Sequence, residues 1–160
     1  MKVGDNKVGD YLRTTRECTL DGLNPVLVTA VRTHIEKYEL NDTVASALMC
    51  CETTSTRQKK GLFGGKTEVI LTGIILTPQW LIWATGKTNE VPGVLSARLS
   101  EIQVQNYEQS PMYKMVQDSG LNISGLRTSE GGTGTAFIGL GPEPAAQKFR
   151  SILKEAMAAT

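Results

Sequence analysis

Two strand-like runs, Val69 to Leu76 and Trp80 to Ala84, are separated only by Thr77-Pro78-Gln79, and this spacing constrains the fold more than any other feature. A proline-centred turn this short joins strands that pair antiparallel. Val69 to Leu76 is apolar at odd and even positions alike, the pattern of a strand covered on both faces, here by a barrel interior and by a helix or partner. Downstream, Leu95, Ala97 and Leu99 alternate on odd positions, whereas Ile102 and Val104 alternate on even ones. The switch predicts a bulge or bend at Ser100-Glu101, the kind of corner that curls a small sheet into a barrel. Val69 to Gly86 is uncharged and nearly long enough to cross a bilayer, but Thr72, Gly73, Thr77, Pro78 and Gln79 interrupt it and the proline would break a helix at its centre.

Helices are expected on either side of these strands. Asn24-Pro25 pairs a capping side chain with a proline at the first helical position, and Leu27, Val31, Ile35 and Tyr38 then share one face. That helix ends near Leu40-Asn41-Asp42, and strand-like sequence takes over from Thr43 to Thr56. Leu121 to Leu126 and Thr135 to Leu140 read as further strands. Glu143 to Ala159 reads as a closing helix with Ala145, Phe149, Ile152 and Ala156 on its apolar stripe. Residues 1–22 have few anchors and read as a poorly ordered tail, 23–41 as a helical appendage, and 42–160 as the barrel with its helix.

A chain of 160 residues with 40% hydrophobic content buries one core, and a net charge of +1 gives no global attraction to nucleic acid or membrane. The three cysteines form no disulfide framework and no N-terminal segment reads as a signal peptide, so the cytoplasm is the expected compartment.

The order of elements, an antiparallel run of strands closed by a C-terminal amphipathic helix, resembles the pleckstrin-homology (PH) superfold. Leu76-Thr77-Pro78-Gln79-Trp80-Leu81-Ile82 is similar to the strand pair "LTxxRLI" of bacterial PH-like and GRAM-type domains, and Ala97-Arg98-Leu99-Ser100-Glu101-Ile102 to their "IPLSDI" strand. Trp80 stands where the family has a basic residue. The resemblance implies an α+β fold: a PH-like, partly open antiparallel barrel of about six to seven strands closed by the C-terminal helix. It also implies a non-catalytic module that binds lipid headgroups, membranes or proteins, or that self-assembles. Relatives that bind phosphoinositides place basic residues on the first two strands and their loop; the matching positions are Arg57, Lys59, Lys60 and Lys66, while Val69, Ile70 and Leu71 replace the motif's later basic residue.

The physics of that loop points to the same surface. Four cations flank Gly61-Leu62-Phe63-Gly64, so Arg57, Lys59, Lys60 and Lys66 would meet anionic headgroups while Leu62 and Phe63 insert. At about 1 kcal/mol per basic residue the four supply roughly 4 kcal/mol, a millimolar attachment. The competing reading folds Leu62 and Phe63 back onto the barrel mouth or a neighbouring subunit. Two functions therefore stay open: peripheral association with an anionic membrane, or a protein-interaction or homo-oligomer module using a strand edge and the first helix.

Other motifs fail on spacing. Gly64-Gly65-Lys66-Thr67 ends like a phosphate-binding loop, but Lys60 occupies the position of its first glycine. Gly139-Leu140-Gly141 lacks the third glycine of a dinucleotide fingerprint, which is Pro144. Cys50 and Cys51 point to opposite strand faces, one filling the core and the other partly exposed, so they do not chelate one metal. Trp80 and Trp83 likewise face opposite sides and make no platform for bases, so no nucleic-acid partner is expected. His34, the one histidine, with scattered carboxylates gives no catalytic set, and no cofactor or metal is expected.

Overall fold

The structure, a computed structural model, describes residues 11–59 and 65–160. Five antiparallel strands form the larger sheet: β1 (Leu12–Glu17), β2 (Met49–Lys59), β3 (Lys66–Leu76), β4 (Trp80–Lys87) and β5 (Gly93–Arg98), in that spatial order. A second antiparallel sheet holds β6 (Gln103–Asn106), β7 (Gly120–Arg127) and β8 (Thr133–Gly139). Helix α1 (Pro25–Lys37) and the short α2 (Asn41–Ala45) lie between β1 and β2 in the chain, and α3 (Pro144–Ala158) ends it.

The two-faced pattern of the central strands is satisfied by two cores. On one face of the larger sheet, Ile74, Leu76, Leu81 and Trp83 pack with Leu121, Ile123 and Ile138 of the second sheet and with Phe149 and Leu153 of α3. On the other, Leu71, Ile75, Ile82 and Ala84 receive Leu27, Val31 and Ile35 of α1. Each of these three helix side chains contributes about 2 kcal/mol by leaving water. Gly73 makes the close approach of α1 feasible, since a Cβ there would stand 3.1 Å from the Leu23 Cδ1 atom and 3.3 Å from that of Leu27. Asn24 caps α1 as expected, its side chain accepting the Val26 amide at 3.1 Å.

Several expectations need correction. Among the described residues, eight strands form two sheets and no closed barrel, because no backbone ladder joins β1 to β8 or β5 to β6. Of the stretch read as a poorly ordered tail, residues 1–10 lie outside the described residues, while Leu12–Glu17 form β1, whose inward positions hold Arg13 and Thr15 in place of the apolar residues that mark a strand. Residues 43–48 do not extend β2: α2 and a turn occupy them, with the Ser46 amide bonded to the Thr43 carbonyl at 3.2 Å. At the predicted corner a 3-10 turn, Leu99–Glu101, carries the chain from one sheet to the other. The bulge itself is in β7, where Gly125 adopts φ +86 and a Cβ would meet the Glu101 carbonyl at 2.9 Å. The buried stripe of α3 is Ala146, Phe149, Leu153 and Ala156, rotated from the expected one because the helix meets two sheets at once. Cys50 and Cys51 do face opposite sides, but both are buried, since each face of β2 is covered. Among the described residues, no helix is long and apolar enough to cross a membrane.

Candidate functional site

The larger sheet has two edges, and they are finished differently. On β1, the Thr15 amide donates to the Glu143 Oε1 atom at 2.8 Å, and the Gly141 amide donates to the Thr15 hydroxyl at 2.8 Å. The entry to α3 thus covers that edge. On β5, the ladder to β4 continues into a bond from the Leu99 amide to the Gln79 carbonyl at 2.9 Å, which identifies the pairs that exchange hydrogen bonds. Bonded and non-bonded pairs alternate along antiparallel strands, so Leu95 and Ala97 turn their amides to β4 while Val94, Ser96 and Arg98 turn theirs outward. Among the described residues, no backbone hydrogen bond reaches these outward groups. The face switch in the sequence, expected to be a bend within one barrel, is where the chain passes from β5, an edge of the first sheet, to the second sheet.

Beside β5, α1 and residues 88–94 enclose an open groove of about 820 Å³. Val26, Ala30 and His34 at four-residue spacing on α1, with Tyr38 at its C-cap, form one wall, so Tyr38 lines the groove and does not share the buried face of Leu27, Val31 and Ile35 as expected; Val91 and Pro92 form the other wall. Val91 is 90% exposed and Tyr38 is 54% exposed. His34 joins groove to strand: its Nε2 atom lies 2.8 Å from the Ser96 hydroxyl, and its ring centre lies 4.5 Å from that of Tyr38 at a tilt of 46°. Burial, and secondarily the Lys37 charge, lowers the His34 pKa from 6.5, so the imidazole is neutral at pH 7.

The β2–β3 hairpin places the sequence-predicted contact residues as follows. Arg57 and Glu68 face each other in the ladder, and the Arg57 Nη2 atom donates to the Glu68 Oε1 atom at 2.8 Å. The Arg57 guanidinium also lies 4.9 Å over the Tyr11 ring, and Lys87 approaches the second Glu68 oxygen at 3.5 Å. Arg57 is therefore held by a carboxylate that the reading of the loop left out, although the strand register alone would have paired the two. Lys59 and Lys66 are cross-strand partners at the far end of the ladder, and Lys66 is exposed. Lys60, Leu62 and Phe63 lie outside the described residues, as does the Lys59 side chain.

Trp83 enters the core shared with α3, whereas Trp80 lies on the α1 side with the Arg98 guanidinium 4.8 Å over its ring. Among the described residues, no group of three His, Cys, Asp or Glu side chains is placed to hold a metal ion. Comparison with protein-family models and with curated proteins gives no match.

Proposed function

We propose that this chain is a non-catalytic, PH-like interaction module that binds an extended protein segment along β5. The PH-like part of the reading is supported by the order of elements: an antiparallel sheet, a second antiparallel sheet, and a C-terminal helix that fills the space where they meet. The unpaired outward edge of β5 carries the functional part. An extended segment takes up those donors and acceptors as a further strand, and its alternate side chains enter the groove against α1.

His34 and Ser96 stand at the distance of a general base and a nucleophile. A general base starts as the neutral imidazole, but among the described residues no carboxylate holds the His34 ring to orient it and to stabilise the imidazolium formed when it takes the proton. The pair reads better as a strut between α1 and β5.

A peptide selected from a random library on the immobilised protein provides the test. Its binding should shift and protect the amides of Val94, Ser96 and Arg98 in NMR spectra. Ser96→Pro, which removes one outward amide without touching the β4 ladder, should weaken binding about tenfold, because a peptide carbonyl is left unpaired. Ser96→Ala loses the contact with His34 but keeps the amide and should bind as the parent does. Peptides that shift amides elsewhere, or equal binding by a folded Ser96→Pro variant, would overturn the assignment.

One observation favours a second reading, peripheral attachment to anionic membrane. Lys59 and Lys66 are cross-strand partners in the backbone ladder, which brings two basic positions of adjacent strands to the loop end of the hairpin, where an anionic surface would meet both. Co-sedimentation with phosphatidylserine-containing vesicles at low salt should then fall about thirtyfold in Lys59→Ala, Lys66→Ala, at about 1 kcal/mol per lysine. Equal pelleting with neutral vesicles, or none with either, would remove this reading.

A further inference from the structure

The register that builds the larger sheet also brings two thiols together. The β1–β2 ladder ends at Glu17 opposite Cys51, and one step further along each strand come Cys18 and Cys50, joined by a backbone hydrogen bond. The Cys18 amide donates to the Cys50 carbonyl at 3.0 Å, so the ladder geometry persists at this step. Directly opposed residues joined in this way have Cα atoms about 5.5 Å apart, within the range that a disulfide spans, and Cβ atoms about 5.5 Å apart, about 1 Å beyond it, so closure needs Cys18, which lies just past the end of β1, to draw in toward Cys50. Both side chains lie on the α1 face: Cys50 belongs to the core beneath α1, Cys18 packs against it, and the two thiols interact. Cys51 is on the opposite face, among the residues packed against α3 and the second sheet.

We propose that Cys18 and Cys50 are a thiol pair built to form a reversible cross-strand disulfide, with Cys51 excluded. The bond would close the loop that contains α1 and α2, so it would staple the helical segment to the sheet it covers. With a low-molecular-weight disulfide such as oxidised glutathione as oxidant, half-exposed Cys18 attacks first. Its thiolate displaces one glutathione thiolate and forms a mixed disulfide. The Cys50 thiolate then attacks the Cys18 sulfur and displaces the second glutathione thiolate. The protein gives up two electrons, one glutathione disulfide becomes two glutathione thiols, and the protons of Cys18 and Cys50 end on those leaving groups.

Burial raises both thiols. Around Cys18, Arg16 pulls the pKa down and Glu52 and Glu17 push it up, leaving a net rise. Thiolate is the reactive form, so closure should be slow at neutral pH and accelerate about tenfold per pH unit until Cys18 ionises.

The test is incubation of the folded full chain with oxidised glutathione at about pH 8.5, the ordinary thiol value. The expected product has lost two hydrogens, carries one Cys18–Cys50 link on peptide mapping, and keeps Cys51 free. Its melting temperature should rise by about 10 °C and return on reduction, as loop closure of this size implies. Cys51→Ser should behave identically, whereas Cys18→Ser should not close. A link to Cys51, a stable glutathione adduct on Cys18, a disulfide-linked dimer or three unreacted thiols would each overturn the proposal. None of these outcomes bears on the β5 edge, which is tested separately.

Discussion

Phe149→Ala should destabilise the protein by about 4 kcal/mol and lower its melting temperature by about 10 °C. Phe149 is fully buried and sits on the α3 face that meets both sheets, in one cluster with Leu81 and Trp83 of the larger sheet and Leu121 and Ile138 of the smaller. Truncation removes the transfer free energy of the ring and leaves a cavity whose walls are two sheets and a helix. Those walls cannot collapse inward without shifting the corner at Leu99–Glu101, so most of the cavity cost should remain. Phe149→Leu, which keeps much of the volume, should lose less than half as much. Urea unfolding monitored by tryptophan fluorescence would measure both variants, since Trp83 lies in the same core. A loss below about 1 kcal/mol for the alanine variant would mean that α3 is not the wedge between the sheets.

The second large effect is expected where the sheets do not join. Between β1 and β8 no backbone ladder forms, and Arg13 ties that side together. Its Nε and Nη2 atoms donate to both carboxylate oxygens of Asp118 at 2.8 Å, its Nη1 atom donates to the Ser55 hydroxyl at 2.6 Å, and its guanidinium stacks 5.2 Å from the Phe137 ring. The two side chains are only 10% and 12% exposed. Arg13→Met should therefore cost about 3 kcal/mol, mostly because Asp118 is left as an uncompensated, nearly buried charge. Arg13→Met, Asp118→Asn should recover a good part of that loss, because the amide oxygen can still accept the Ser119 amide that Asp118 now accepts at 2.7 Å. Equal losses in the single and double variants would show that packing on Phe137 and the bond to Ser55 dominate instead.

The legible features share a physical origin. Asn24-Pro25 announces α1 because capping is settled within a few residues, and Leu27, Val31 and Ile35 announce its buried face because helical periodicity is local. The apolar run in β3 announces two covers because each face of a strand needs one. The parts that were misread depend on distant partners. Arg13 and Thr15 sit inward on a strand only because Asp118 and Thr53 await them, and no pattern within residues 11–18 shows that. Arg57 looks like a free cation in sequence, yet the ladder gives it to Glu68.

By itself, the sequence determined the antiparallel order around Thr77-Pro78-Gln79, the helices at either end, the change of face after Leu99, and the absence of any large net charge, because turns, caps, periodicity and composition act over short stretches or over the whole chain. Tertiary structure alone decided that the strands divide into two sheets, that one edge is covered by Glu143 while Val94, Ser96 and Arg98 face outward, and that Cys18 meets Cys50 rather than Cys51. Each of those outcomes is set by register and by which distant surface packs against a strand, and these follow from burying two apolar faces at once, not from any local preference of the residues involved.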